Sequence, residues 1–322
     1  MTVTRAGAAG GRCGVTGMAL ALALALAATA GTARPASAQE TETIDETRRV
    51  TRDVSVEIDA PVRHVRVRGW DRQELRVRGE YAPRLEEFEI EGGSASVEIS
   101  LDLVGRRWEE HMETPGELEV SVPRGASLSV DVQAGGIDVE EVHGDVSLET
   151  VSGDVTYAGE ASSVGLGSVS GSVTAEAPAA TTTRAESVSG DVRVAVAGGL
   201  VDVEAVSGDV DVRASGTLTR LQVESVSGRI RVDAAPAANA SFELESHSGA
   251  VELALPAELD AVLEAETFSG GILNAFGQEA RRTDRYTPGM ELRQTVGAGS
   301  ARISVESFSG RIDFSRRDDG AS

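Results

Sequence analysis

The sequence predicts an all-β protein, a single-domain β-solenoid (β-helix) with roughly two short strands per coil. Three observations lead there. Eight Ser-Gly pairs form a near-regular series, with glycines at Gly153, Gly171, Gly190, Gly208, Gly228, Gly249, Gly270 and Gly310, in steps of 18, 19, 18, 20, 21, 21 and then 40 residues. The residue two places after each glycine is β-branched every time (Val155, Val173, Val192, Val210, Ile230, Val251, Ile272, Ile312), which suits a strand. Glycine makes up 36 of 322 residues while aromatics are 3%, so the core must come from small aliphatic side chains on many thin strands. A strand-turn-strand unit this short cannot bury its own apolar face, whereas stacked copies bury one another's. At about 4.8 Å per coil, eight to twelve coils predict a rod on the order of 40–60 Å long. A β-sandwich tolerates short strands too, but gives no reason for one residue type to return every 18–21 positions.

Along the chain, residues 1–38 read as a signal peptide. Arg5 and Arg12 precede the apolar run Met18–Ala30, and Ala36-Ser37-Ala38 has the small-x-small form of a cleavage site. The run is short for a bilayer span, so the mature chain is expected to carry no membrane span, and Cys13 lies before it, where no lipoprotein anchor sits. Removing Arg5, Arg12 and Arg34 with no acid takes the formal charge from −22 to −25. Residues 39–47 read as a polar linker and 48–315 as the repeat domain. Within it, 48–130 shows alternation without the Ser-Gly mark (Val54-Ser-Val56-Glu-Ile58, Leu118-Glu-Val120-Ser-Val122), as less regular coils do. Residues 131–273 hold the regular coils, 274–299 a long loop in place of a missing mark, 300–315 a closing coil, and 316–322 a frayed tail.

Alternation carried through the glycine assigns its neighbours. It places Val151, Val169, Val188, Val206, Val226, His247, Phe268 and Phe308, two before the glycine, on the inward face with the β-branched row. It also points the glycine inward, where a side chain would strike the opposite wall. His247 then reads as a core histidine. Leu148, Leu166, Val203, Val223, Leu244 and Val305, five before the glycine, sit at odd spacing from the next inward residue, so the chain turns a corner between them.

The Val-Ser-Gly-Asp-Val units at 151–155, 188–192 and 206–210 resemble those of the bacterial putative adhesin family, a domain of unknown function built from β-strand repeats. The resemblance extends to Val65-Arg-Val67-Arg-Gly69-Trp70-Asp71, to Val122-Pro123-Arg124-Gly125-Ala126 and to Ser309-Gly310-Arg311-Ile312. It implies the repeat fold, and it brings no catalytic residues to carry over.

Chemistry-bearing patterns are sparse. The four histidines (64, 111, 143, 247) show no metal-ligand spacing, and the serines beside glycine repeat because the corner repeats, with no His-acid partner. The acidic balance excludes nucleic acid as the main partner. One row stands out. Four residues before the glycine come Glu149, Glu186, Glu204, Glu224, Glu245, Glu266 and Glu306, with only Gly167 breaking the series. Stacked about 5 Å apart, neighbouring carboxylates repel by about 0.8 kcal/mol at water's dielectric. A solvated edge tolerates that, and calcium would relieve it, so Glu186, Glu204, Glu224 and Glu245 are candidates for weak calcium binding and calcium is the one possible cofactor. The excursions gather Arg106, Arg107, Trp108 and Arg281, Arg282, Arg285, Tyr286. These are candidate partner-binding residues, or loops over an open solenoid end.

The reading that follows is a non-enzymatic, exported envelope or surface interaction module, in the periplasm, the outer envelope or outside the cell. Its partner would be an envelope or surface protein or a glycan. The alternatives are a polysaccharide-acting β-helix enzyme, which would need acids and arginines converging on one face, and a periplasmic sensor or scaffold subunit. Cleavage after Ala38 is the first expected outcome: amino-terminal sequencing of exported protein should start at Gln39, and a product retaining Met18–Ala30 would overturn it.

Overall fold

The computed structural model describes residues 42–81, 86–103, 116–283 and 288–317, and every regular element among them is a strand. Each regular coil has a leading strand that ends at the Ser-Gly pair and a trailing strand that begins two residues after the glycine. Leading strands stack on leading strands in parallel register, Glu186 beside Glu204, then Glu224, then Glu245. Trailing strands do the same, Val192 beside Val210 and then Ile230. The result is two parallel walls joined at a corner, the β-solenoid that the repeat predicts.

The core lies between the walls. From the leading wall come residues seven, five and three before the glycine, such as Val201, Val203 and Ala205; from the trailing wall come residues two and four after it, such as Val210 and Val212. These five are each at most 5% exposed. The row two before the glycine does not face this core. Val151, Val169, Val188, Val206, Val226, Phe268 and Phe308 are 46–53% exposed, and His247 stands exposed in the same row. Alternation along the leading strand runs unbroken to this row and turns it outward, and the Ser-Gly corner beyond it resets the parity before the trailing strand begins. His247 is therefore no core histidine.

The corner glycine meets its neighbour, not the opposite wall. A Cβ on Gly208 would lie 2.2 Å from the carbonyl oxygen of Gly190, and one on Gly228 would lie 2.0 Å from that of Gly208. Gly208 also has φ 135°, a conformation closed to side chains. The aspartate after it ties corner to corner. Asp191 Oδ1 accepts from the Asp209 N–H at 3.0 Å, and Asp209 Oδ1 accepts from the Arg229 N–H at 2.9 Å.

Coils do not stack in sequence order at either end. The closing coil, Ala301–Ser309 with Ile312–Arg316, lies between two earlier ones: Val305 is beside both Leu244 and Ala265, and Ile312 is beside both Val251 and Ile272. At the amino end, the coil of Ser55–Asp59 and His64–Trp70 lies between Ser96–Leu103 with Glu117–Pro123 and Ser127–Val132 with Gly136–Glu140. Asp260 fastens the entry to the closing coil, accepting from the N–H groups of Gly299 at 2.6 Å and Ser300 at 3.3 Å. Those bonds, Ser300's foremost, hold its carboxyl below the usual range.

Three boundaries differ from the sequence reading. The segment Glu42–Arg49, most of it read as linker, is a strand antiparallel to Glu74–Tyr81; a lone inward Ile44 in a polar stretch is what a solvent-facing edge strand requires. Inside the 274–299 excursion, Met290–Val296 pairs antiparallel with Ala261–Ser269 and caps the leading wall. Arg316 is in a strand, and the Arg317 N–H donates to the Leu255 carbonyl at 2.7 Å while its guanidinium reaches Asp233, so both residues belong to the wall and not to a tail.

Two pairs of substitutions test the corner and the register. Gly208→Ala should cost at least about 3 kcal/mol in urea unfolding, while Gly271→Ala, with open space around it, should stay within about 0.5 kcal/mol. Val210→Asp should cost at least about 3 kcal/mol by burying a charge, and Val206→Asp less than about 1. Equal costs within either pair would refute the assigned facing.

Candidate functional site

Because the leading strands are parallel and in register, each outward position becomes a row running along the solenoid at about 4.8 Å per step. Four before the glycine, the spatial order is Glu149, Gly167, Glu186, Glu204, Glu224, Glu245, Glu306, Glu266, and finally Glu291 on the capping strand. From Glu186 to Glu291 the carboxylates are consecutive. Two residues on, on the same face, runs the apolar row, five valines followed by His247, Phe308 and Phe268.

Between the rows lies a groove of about 1090 Å³ spanning the coils from Val151 to Phe268. Its floor is the buried row three before the glycine, mostly serine and threonine. At one end their hydroxyls are taken up by the neighbouring corner, Thr150 donating to the Gly135 carbonyl and Ser168 to that of Gly153, each at 2.9 Å, while those of Ser225, Ser246 and Ser307 are buried without a partner among the described residues. The groove therefore has one acidic wall, one apolar wall and a floor of small side chains. At its far end the rings form a column, His247 on Phe308 with centroids 4.9 Å apart and Phe308 on Phe268 at 5.1 Å, the ring planes nearly parallel in both cases.

The acidic wall is neutralised unevenly. Arg184 pairs with Glu186, and reaches Glu204 at 2.9 Å and Asp202 at 3.5 Å. Near the other end, Arg302 and Arg293 are committed to Glu264, one row further out, at 2.8 and 3.0 Å. Glu224 accepts a hydrogen bond from Gln222 at 3.0 Å. Among the described residues, Glu224, Glu245, Glu306 and Glu266 have no cationic partner.

The four residues read as calcium candidates are thus consecutive rungs of one wall, with Arg184 on the first two. Among the described residues no group of three or more His, Cys, Asp or Glu is placed to hold a metal ion. Of the candidate partner-binding residues, Arg281 and Arg282 are exposed on a two-residue strand beside Met290–Val296. Arg106, Arg107, Trp108, Arg285 and Tyr286 lie outside the described residues. Among the described residues no helix is long and apolar enough to cross a membrane.

The Toastrack DUF4097 family matches the chain twice, over residues 84–200 and 197–315. The chain belongs to this family. Its two matched segments meet near Gly199, so a single Toastrack solenoid here is assembled from tandem segments. No curated protein matches. Similar solved structures include a putative cell adhesion protein from Clostridium sporogenes ATCC 15579 (11% identity, 86% of this chain and 100% of that one, TM-score 0.21). Others are a putative adhesin from Bacteroides fragilis NCTC 9343 (10%, 86% and 98%, 0.44) and one from Parabacteroides distasonis ATCC 8503 (9%, 85% and 98%, 0.30). At these TM-scores the superpositions bear on neither detail nor function.

The glutamate wall of this Toastrack domain was visible in sequence; its apolar partner was placed inside the core. A signal was present. The serine, threonine and alanine row three before the glycine keeps even spacing with the leucine and valine row five before it, and that unbroken parity marks the true inward run.

The ring column yields a test of coil order. Double-mutant cycles with alanine should give coupling of about 0.5–1 kcal/mol for Phe308 with Phe268, and a similar value for Phe308 with His247. Coupling between His247 and Phe268, two rungs apart, should fall near zero, and a strong value there would mean that the closing coil does not lie between them.

Proposed function

We propose that this chain is an exported, non-enzymatic contact module of the cell envelope or surface, and that it makes its contacts through the groove of its leading wall. The observation that carries this is the exposed apolar row. Monomeric soluble proteins rarely expose a continuous apolar strip, and one bordered by charge marks an interaction site. Here the strip runs the whole length of the regular coils, on a surface held rigid by parallel pairing on both sides. The residues along it repeat instead of converging, so the surface suits an elongated contact more than a point of chemistry. The leader-like amino terminus supports delivery outside the cytoplasm.

Cell fractionation with protease accessibility tests both parts. Protein from its own host should appear outside the cytoplasm, and Val206→Glu with Val226→Glu should release it from the envelope fraction without lowering its urea midpoint. Retention in the cytosol would overturn export, and undiminished envelope retention of the variant would overturn the groove as the contact.

A further inference from the structure

The groove has a chemistry that narrows what can fill it. Its unbroken stretch runs six rungs, Glu186 to Glu266 on one wall and Val188 to Phe268 on the other, about 24 Å at the coil spacing. The two walls rise from positions two residues apart on the same strands, Glu204 and Val206 for example, so they stand about 6.8 Å apart. An α-helix with side chains measures about 10–12 Å and cannot sink into it. An extended chain can. In an extended chain successive side chains point to opposite sides, so a segment alternating basic and apolar residues sends every basic group to one wall and every apolar group to the other. Among the described residues, the four carboxylates Glu224, Glu245, Glu306 and Glu266 have no cationic partner. The half-exposed valines and rings face them across the channel.

Resting on the reading of the chain as a contact module, we propose that the groove binds an extended polypeptide segment in which basic residues alternate with apolar ones. Same-side residues of such a segment repeat about every 6.8 Å against rungs about 4.8 Å apart. Three or four basic side chains therefore lie over six carboxylates with no fixed one-to-one match. Recognition follows charge density and alternation, with tolerance for sliding, and it weakens with salt because the carboxylates stay solvated. Aromatic residues of the segment are favoured at the His247 end, where the ring column continues the apolar wall.

The test is fluorescence anisotropy of the purified protein with a labelled twelve-residue peptide alternating arginine and valine. Its control is the block peptide of six arginines then six valines. The alternating peptide should bind at least tenfold tighter than the block. Glu224→Gln with Glu245→Gln and Glu306→Gln should weaken it at least tenfold and flatten its salt dependence, and Val206→Asn with Val226→Asn should weaken it at least fivefold. Both sets are surface changes, so the urea midpoint serves as the control for folding. Equal binding of the two peptides, or displacement by spermine at equal charge, would reduce the groove to a polycation surface and overturn the proposal. Binding to phosphatidylcholine vesicles without binding to the peptide would overturn it as well. Groove-dependent envelope retention with no peptide binding overturns the peptide as occupant and leaves the contact reading standing. Peptide binding by a protein confined to the cytosol supports the occupant and overturns that reading.

Discussion

Successive corners approach one another so closely that the space a Cβ needs at one glycine is already taken by the carbonyl oxygen of the next. The distances that a Cβ would make are 2.3 Å at Gly153, 1.9 Å at Gly171, 1.8 Å at Gly249 and 1.8 Å at Gly310. Everything regular in the molecule follows from that contact. Corners in contact put strands in register, and register places equal residues above one another, in the core and on the surface alike. The β-branched rows inside are the apolar consequence, and the glutamate and valine rows outside the polar and half-polar ones. Where an aspartate follows the glycine, at Asp154, Asp191 and Asp209, its carboxylate accepts from a backbone N–H of the next corner and adds a hydrogen bond where the strand ladders are interrupted by the turn.

How much of this was legible in the chain depends on whether the signal was local. The β-branched residue after each glycine and the glutamate before it lie within single strands, and simple periodicity reads them correctly. The valine two before the glycine is the last alternating residue of the leading strand, and carrying the count back to it from the trailing strand across the corner, where alternation has no physical basis, placed an exposed row in the core. The insertion of the closing coil was illegible for another reason. Val251 and Ile272 offer nearly identical faces to Ile312, so composition alone cannot say which coil is whose neighbour. Glu42–Arg49 was obscured because an edge strand with one buried residue has the composition of a linker.

The candidate site inherits its character from the same stacking. A groove made of rows is uniform along its length, so its chemistry is set by two residue choices repeated many times. Cations of the chain are spent near its borders, on Glu186 and Glu204 at one side and on Glu264 beside the other. Among the described residues the rungs from Glu224 to Glu266 have no cationic partner, so an unneutralised acidic row runs beside an apolar one.

The closing coil also sets the order of events in folding. The Ala261–Asn274 coil leaves any ribosome or export channel before Ala301–Arg316, yet in the native molecule it must wait for that later segment to settle beneath it. Until then it can pair directly with the coil that carries Leu244 and Val251, whose edges offer the same pattern. That arrangement satisfies most of its hydrogen bonds and leaves the last segment without a slot. Escape from such a pairing would require breaking a complete set of long-range strand pairings, a slow step in a topology of this kind.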